Sequence, residues 1–187
     1  MSTPQTRRKT RTDAECNRDR VLHTSRALFA QSGYDMQMSQ VAQAAGVGIG
    51  TLYRKFPTRE TLIEAIAKHR AAEIVANARQ LTGADDPAQG LAGLLHYVGE
   101  ALAGDRGISE AIEKVMGSAE PRGEPRKALL PLVAKLIDQA RVSDRAGQNV
   151  TTADINIAIC GLVAVIRNAA GVWQRYFEVA LNGLRPR

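Results

Sequence analysis

Aromatic residues make up only 4% of this 187-residue chain, which holds two cysteines and three histidines. Each shortage removes a class of protein. Cys16 and Cys160 lie far apart, with no C-x-x-C and no His partner at metal-ligand spacing, so reduced thiols are expected and neither a disulfide framework nor a metal site. His23, His69 and His96 stand alone, and no Ser-His-acid arrangement accompanies them. Catalytic residues are therefore expected to be none, and the chain is read as no enzyme and as needing no cofactor. Long hydrophobic runs are missing as well. The longest, Ile155 to Ile166, includes Asn156 and falls short of the roughly 20 residues that a bilayer demands. No membrane span is expected. The basic start, MSTPQTRRKTRTDAECNR, is followed by no apolar segment of the signal-peptide kind, which predicts a cytoplasmic location.

What the chain does have is a soluble globular composition, 44% hydrophobic and 24% charged, and a net charge of +6. That charge is unevenly placed. Residues 1–59 carry ten Lys or Arg against four acids, and the rest holds fifteen of each sign. All of the excess thus sits in the first third, as expected for a segment that meets a polyanion, the alternative being a solubilising surface with a basic tail.

Helical periodicity runs throughout, without a convincing alternating strand pattern, so the fold class is all-α. Thr12-Asp13-Ala14-Glu15 has the form of a capping box and predicts a first helix over 13–32, closed by Gly33. Short helices over 38–45 and 49–55 follow, then a longer one from Pro57-Thr58 to about residue 80. Asp86-Pro87-Ala88-Gln89 predicts the start of a fifth helix, reaching about Ala103. Residues 104–125 hold four of the 16 glycines, which predicts one short helix and a mobile loop. A helix over 129–141 must take Pro131 in its first turn or kink there. Thr151-Thr152-Ala153-Asp154 caps an apolar helix over 152–170, and a last one carries Trp173, Tyr176, Phe177, Ala180 and Leu181 on one stripe before Gly183.

The stretch QAAGVGIGTLYRKF, residues 43–56, is the most informative. A dinucleotide loop would need a preceding strand and a third glycine where Thr51 stands, and a Walker loop would need Lys there. A helix-turn-helix explains the residues better: Val41 and Ala42 on the first helix, Gly46 at the turn, Leu52 and Phe56 on the inner face of the second. Its outward face is then Gly48, Gly50, Thr51, Tyr53, Arg54 and Lys55, slim at the start and basic at the end, a shape that can enter a major groove while cations neutralise phosphates. A helical hairpin without DNA contact is the plain alternative.

These residues resemble the TetR family of bacterial transcriptional regulators, strongly from Arg18 to about His69. The likeness includes the Phe29-to-Gly33 end of helix one and Leu52-Tyr53-Arg54-Lys55-Phe56. The resemblance implies a sequence-specific regulator: a basic tail over 1–12, a helix-turn-helix DNA-binding domain over 13–60, and a helical ligand-binding and dimerisation domain over 61–187. It implies operator contacts at Thr51, Tyr53, Lys55 and Arg59, with Tyr53 and Lys55 on phosphates. Gly48 and Ile49 stand where many members carry Ser and Lys or Arg, which leaves base reading to Arg54 or to a minor-groove arm with Arg7, Arg8, Lys9 and Arg11. The family further implies a repressor released from double-stranded operator DNA by a small-molecule effector. His96, Tyr97, Met116 and Asn168 are the candidate ligand residues, under a lid at 104–125. A basic helical module binding nucleic acid without sequence preference is the rival function.

The helix over 152–170 is apolar nearly all round, which predicts contacts on several sides. A homodimer interface over about 150–183 is expected, made by Ile155, Ile159, Leu162, Ile166, Trp173 and Phe177, the alternative being a core helix of a monomer.

Overall fold

The computed structural model describes residues 4–84, 86, 89–117 and 121–186, with side chains from Asn17 onward except that of Ala170. Among the described residues there are nine α-helices and no strand: α1 (Pro4–Ser32), α2 (Met38–Ala45), α3 (Ile49–Lys55), α4 (Arg59–Thr82), α5 (Gly90–Gly104), α6 (Arg106–Met116), α7 (Glu124–Val142), α8 (Thr152–Ala169) and α9 (Trp173–Gly183). They fall into two compact units. One holds α1 to α3, α4 as far as His69, and α6 from Gly107 onward; the other holds the rest of α4, α5 and α7 to α9.

The two short helices have the bounds that periodicity predicts, because both ends carry strong local signals. Gln37 opens α2, its backbone N–H donating to Gln40 Oε1 at 2.9 Å. Gly46 closes it at φ 63°, a conformation that strains any residue with a Cβ. The Val47 N–H returns to the Ala42 carbonyl at 3.0 Å, sealing the turn. For α4, Thr58 and Thr61 cap one another: each backbone N–H donates to the other's hydroxyl, at 3.1 and 3.2 Å.

Three expectations change. First, α1 starts at Pro4 and not near residue 13. Pro4 occupies the first helical position, where its missing N–H is no loss, and Gln, Arg and Lys sustain the helix through the Thr12 box. Second, the one short helix expected within residues 104–125 is present as α6, and it belongs to a core. α6 packs Ile108, Ala111 and Ile112 into the core of the first unit, so it is no loop over a ligand. Third, α7 begins at Glu124, five residues before the predicted start at 129, with Pro125 in its first turn and Pro131 exposed within it.

The core of the first unit gathers Leu22, Phe29, Met36, Val41, Leu52, Phe56, Leu62, Ile63 and Ile66 around Ile108 and Ile112. In the second, Leu94, Leu95, Leu136 and Ile137 meet Ile155, Leu162, Ile166 and Trp173. That second list is a correction, since four of the six residues expected at a subunit interface are inside. Ile155, Leu162, Ile166 and Trp173 are at most 6% exposed, with Ile159 and Phe177 half-buried against the same cluster. An apolar stripe at helical spacing reads the same whether it faces its own chain or a twin. Here its own chain takes it.

Candidate nucleic-acid interface

The turn at Gly46 and the extended Gly48 swing α3 across α2 so that Leu52 and Phe56 fall inward, 1% and 4% exposed. Everything between them on the helix is thereby turned out. Tyr53 is 46% and Ile49 45% exposed, and Arg54 and Lys55 lie on the surface in the last turn. There their cationic groups also complement the partial negative charge of the helix end. Thr51 is half-buried. A Cβ on Gly50 would meet nothing within 4 Å, and one on Gly48 only the Thr51 hydroxyl, at 3.9 Å. The protein's own packing does not require glycine at these two positions, so the slimness of α3 lies on its solvent face.

Arg59 is built into the corner between helices. Half-buried, it donates from Nη1 to the Tyr34 carbonyl at 2.8 Å, and its guanidinium lies 5.3 Å from the centroid of the Tyr34 ring. Lys114 of α6 stands 3.8 Å from the same centroid, and the Tyr34 hydroxyl donates to Glu60 Oε1 at 3.3 Å. Tyr34 therefore ties the α1–α2 turn to the start of α4 and to α6. Glu60 is held below the usual carboxylate range, first by its own backbone N–H at the helix start and then by the Thr58 hydroxyl. Arg20 is a second anchor: its Nε donates to the carbonyl of Ala45, the last residue of α2, at 3.0 Å, and its Nη2 to Asn17 Oδ1 at 2.7 Å. Sequence reasoning counts Arg20 only as charge, reads Lys114 only as part of a solvated helix face, and gives Tyr34 no role. Helical spacing marks no partner across 25 or more residues. The side chains of Arg7, Arg8, Lys9 and Arg11 lie outside the described residues.

The candidate ligand residues lie on three helices, α5, α6 and α8. His96 is exposed on α5, its ring edge-on to Trp173 and Phe177 at 5.6 and 5.5 Å and its Nδ1 3.6 Å from Glu100. Tyr97 is half-buried beside it in sequence. Asn168 is exposed and donates to the Ala164 carbonyl of its own helix at 2.8 Å. Met116, on α6, packs against the core of the first unit. Among the described residues no group of three or more His, Cys, Asp or Glu is placed to hold a metal ion.

A helix-turn-helix whose second helix shows cations and slim residues to solvent defines a DNA-binding protein. Residues 21–66 match the family described as bacterial regulatory proteins, tetR family. The crystal structure of the TetR transcription regulatory protein from Mycobacterium vanbaalenii is 30% identical, with a TM-score of 0.74 over 94% of this chain and 99% of that one. The HTH-type transcriptional repressor KstR of Rhodococcus jostii is 26% identical over 148 residues, 79% of this chain and 67% of its own length. The HTH-type transcriptional regulator SAR0097 of Staphylococcus aureus is 45% identical over 62 residues, about a third of its length (32%). The chain belongs to the TetR family of transcriptional regulators. These relatives are regulators and not enzymes.

Proposed function

We propose that the protein is a cytoplasmic repressor that binds an operator as a homodimer and is released by a small-molecule effector held in its second unit. The observation that carries this is the facing of α3, with Leu52 and Phe56 buried while Ile49, Tyr53, Arg54 and Lys55 are exposed. Gly48, Gly50 and Thr51 give the helix the narrow profile that lets it approach base edges. Tyr53, Arg54 and Lys55 reach phosphates, and Arg59 steadies the corner from which α4 leaves. Arg7, Arg8, Lys9 and Arg11 add backbone or minor-groove contacts. One short helix selects weakly, so two copies on half-sites about 34–36 Å apart supply the specificity. Repression is supported by the repressor KstR, which resembles most of the chain.

Release requires an effector that binds the DNA-incompetent conformation better than the competent one, and a coupling of about 1–3 kcal/mol changes affinity about 5- to 150-fold. His96 and Tyr97 of α5 are the candidate contacts. The test is selection of bound fragments from a random duplex library, followed by gel shifts with random competitor at several salt concentrations. A preferred site that survives competition supports the proposal. Binding that collapses equally on every sequence along a steep salt slope supports the rival, a basic module without sequence preference.

A further inference from the structure

In the first unit, the large apolar side chains exposed among the described residues are Ile49 and Tyr53, four residues apart on α3 and thus on one face of it. Exposed tyrosine at a phosphate needs no special explanation, because its hydroxyl is a donor. Exposed isoleucine does. Ile49 is 45% exposed, its neighbours Gly48 and Gly50 carry no Cβ, and around Gly50 there is open space. The branched side chain therefore stands up from a bare surface, with Arg54 and Lys55 one to two turns further along the helix. It is no part of the core around Leu52 and Phe56. An aliphatic group that makes no hydrogen bond gains only by being taken out of water against another apolar group. In the major groove the base-edge feature of that kind is the 5-methyl group of thymine. Arg54 and Lys55 on the same helix, within a first third that carries the whole net charge of +6, suit this face to a polyanion, and duplex DNA is the occupant argued for here.

We propose that Ile49 is a specificity-determining residue that reads a thymine methyl in each half-site, so the operator is recognised in part by apolar contact where Gly48 and Gly50 offer no hydrogen-bonding side chain. The inference rests on the proposed DNA-binding role of α3. Burying one methyl against an aliphatic partner corresponds to about fourfold in affinity.

The experiment uses the full chain and the duplex selected from the random library. Each thymine of a half-site is replaced singly by deoxyuridine, which removes the methyl and leaves the Watson–Crick edge intact, and binding is compared for the wild type, Ile49→Ala and Tyr53→Ala. The expected result is a loss of about fourfold at one thymine for the wild type and for Tyr53→Ala, and no further loss from that change in Ile49→Ala. Equal binding of every deoxyuridine duplex overturns the inference, as does a methyl effect that persists in Ile49→Ala or disappears only in Tyr53→Ala. In those cases a selected site still stands and the regulator function with it. A library that yields no preferred sequence overturns both.

Discussion

Gly107 of α6 lies so close to Phe29 of α1 that a Cβ on the glycine would overlap the Phe29 carbonyl oxygen. The obstacle is backbone and not a flexible side chain, so a methyl group there must push the two helices apart. Gly107→Ala should destabilise the first unit by about 1–3 kcal/mol, the range of overpacking in a close-packed interior. Chemical denaturation followed by circular dichroism checks this, and a midpoint equal to the wild type would mean that α6 does not seat on α1 in this way.

The facing of α3 separates folding from binding in two neighbouring residues. Leu52, 1% exposed, supports the core, and Leu52→Ala should cost about 2–5 kcal/mol through the cavity it leaves. Lys55 lies on the surface, so Lys55→Ala should leave the melting midpoint in place while weakening all duplexes alike and reducing the salt slope by about 1. Unchanged stability in the first variant, or unchanged DNA affinity in the second, contradicts the orientation.

The elements that were legible in the sequence carry their signals within a few residues. Gly46 with its left-handed φ, the Thr58 and Thr151 caps and the Val41–Leu52–Phe56 spacing locate α2, α3, α4 and α8. What was misread depends on distant partners. Four glycines within residues 104–125 suggest a mobile loop beside one short helix, yet Gly107 is small because Phe29 crosses there. The stripe Ile155-Leu162-Ile166 looks like a subunit face, yet α5 and α7 already cover it. Periodicity identifies an apolar face but not what it meets. The Tyr34 platform has no local signal at all, since Lys114 and Arg59 reach it from 80 and 25 residues away.

The start of α8 should make the second unit acid-sensitive. The Thr151 backbone N–H and hydroxyl donate to Asp154 Oδ2 at 2.8 and 2.7 Å, and the Asp154 N–H donates back to the Thr151 hydroxyl at 3.3 Å. The hydroxyl first, and then the backbone N–H, hold the Asp154 carboxyl below its ordinary value. A lowered folded pKa means that the carboxylate stabilises the fold above its unfolded value of about 3.9, and that this contribution is lost as pH falls through the lower folded value. Asp154→Asn should therefore melt below the wild type at pH 7, with the gap closing as the pH is lowered past about 4. A gap that stays constant across that range would show that the ionised cap contributes nothing.

With the stripe of α8 turned inward, a subunit interface has to use what remains outside. α8 is apolar enough to pass for a membrane span by length and composition, but only 17% of its residues are buried in its own chain. Ile157 is 68% exposed, and Val172 and Val179 beside and on α9 are 53% and 56% exposed. A chain that leaves such a surface open to water gains by pairing it with a second copy, because association removes apolar area from water. The wild type should sediment at twice 20.2 kDa at micromolar concentration. Ile157→Asp should shift it to 20.2 kDa, because the carboxylate would have to be buried without a partner. Val142→Asp is the control. Val142 is 89% exposed at the end of α7, away from this surface in sequence, and the variant should remain dimeric. A wild type found only at 20.2 kDa, or an Ile157→Asp variant that still pairs, rules out α8 as the dimer face. Where pairing is lost, operator affinity should fall too, since a lone α3 can occupy only one of the two grooves.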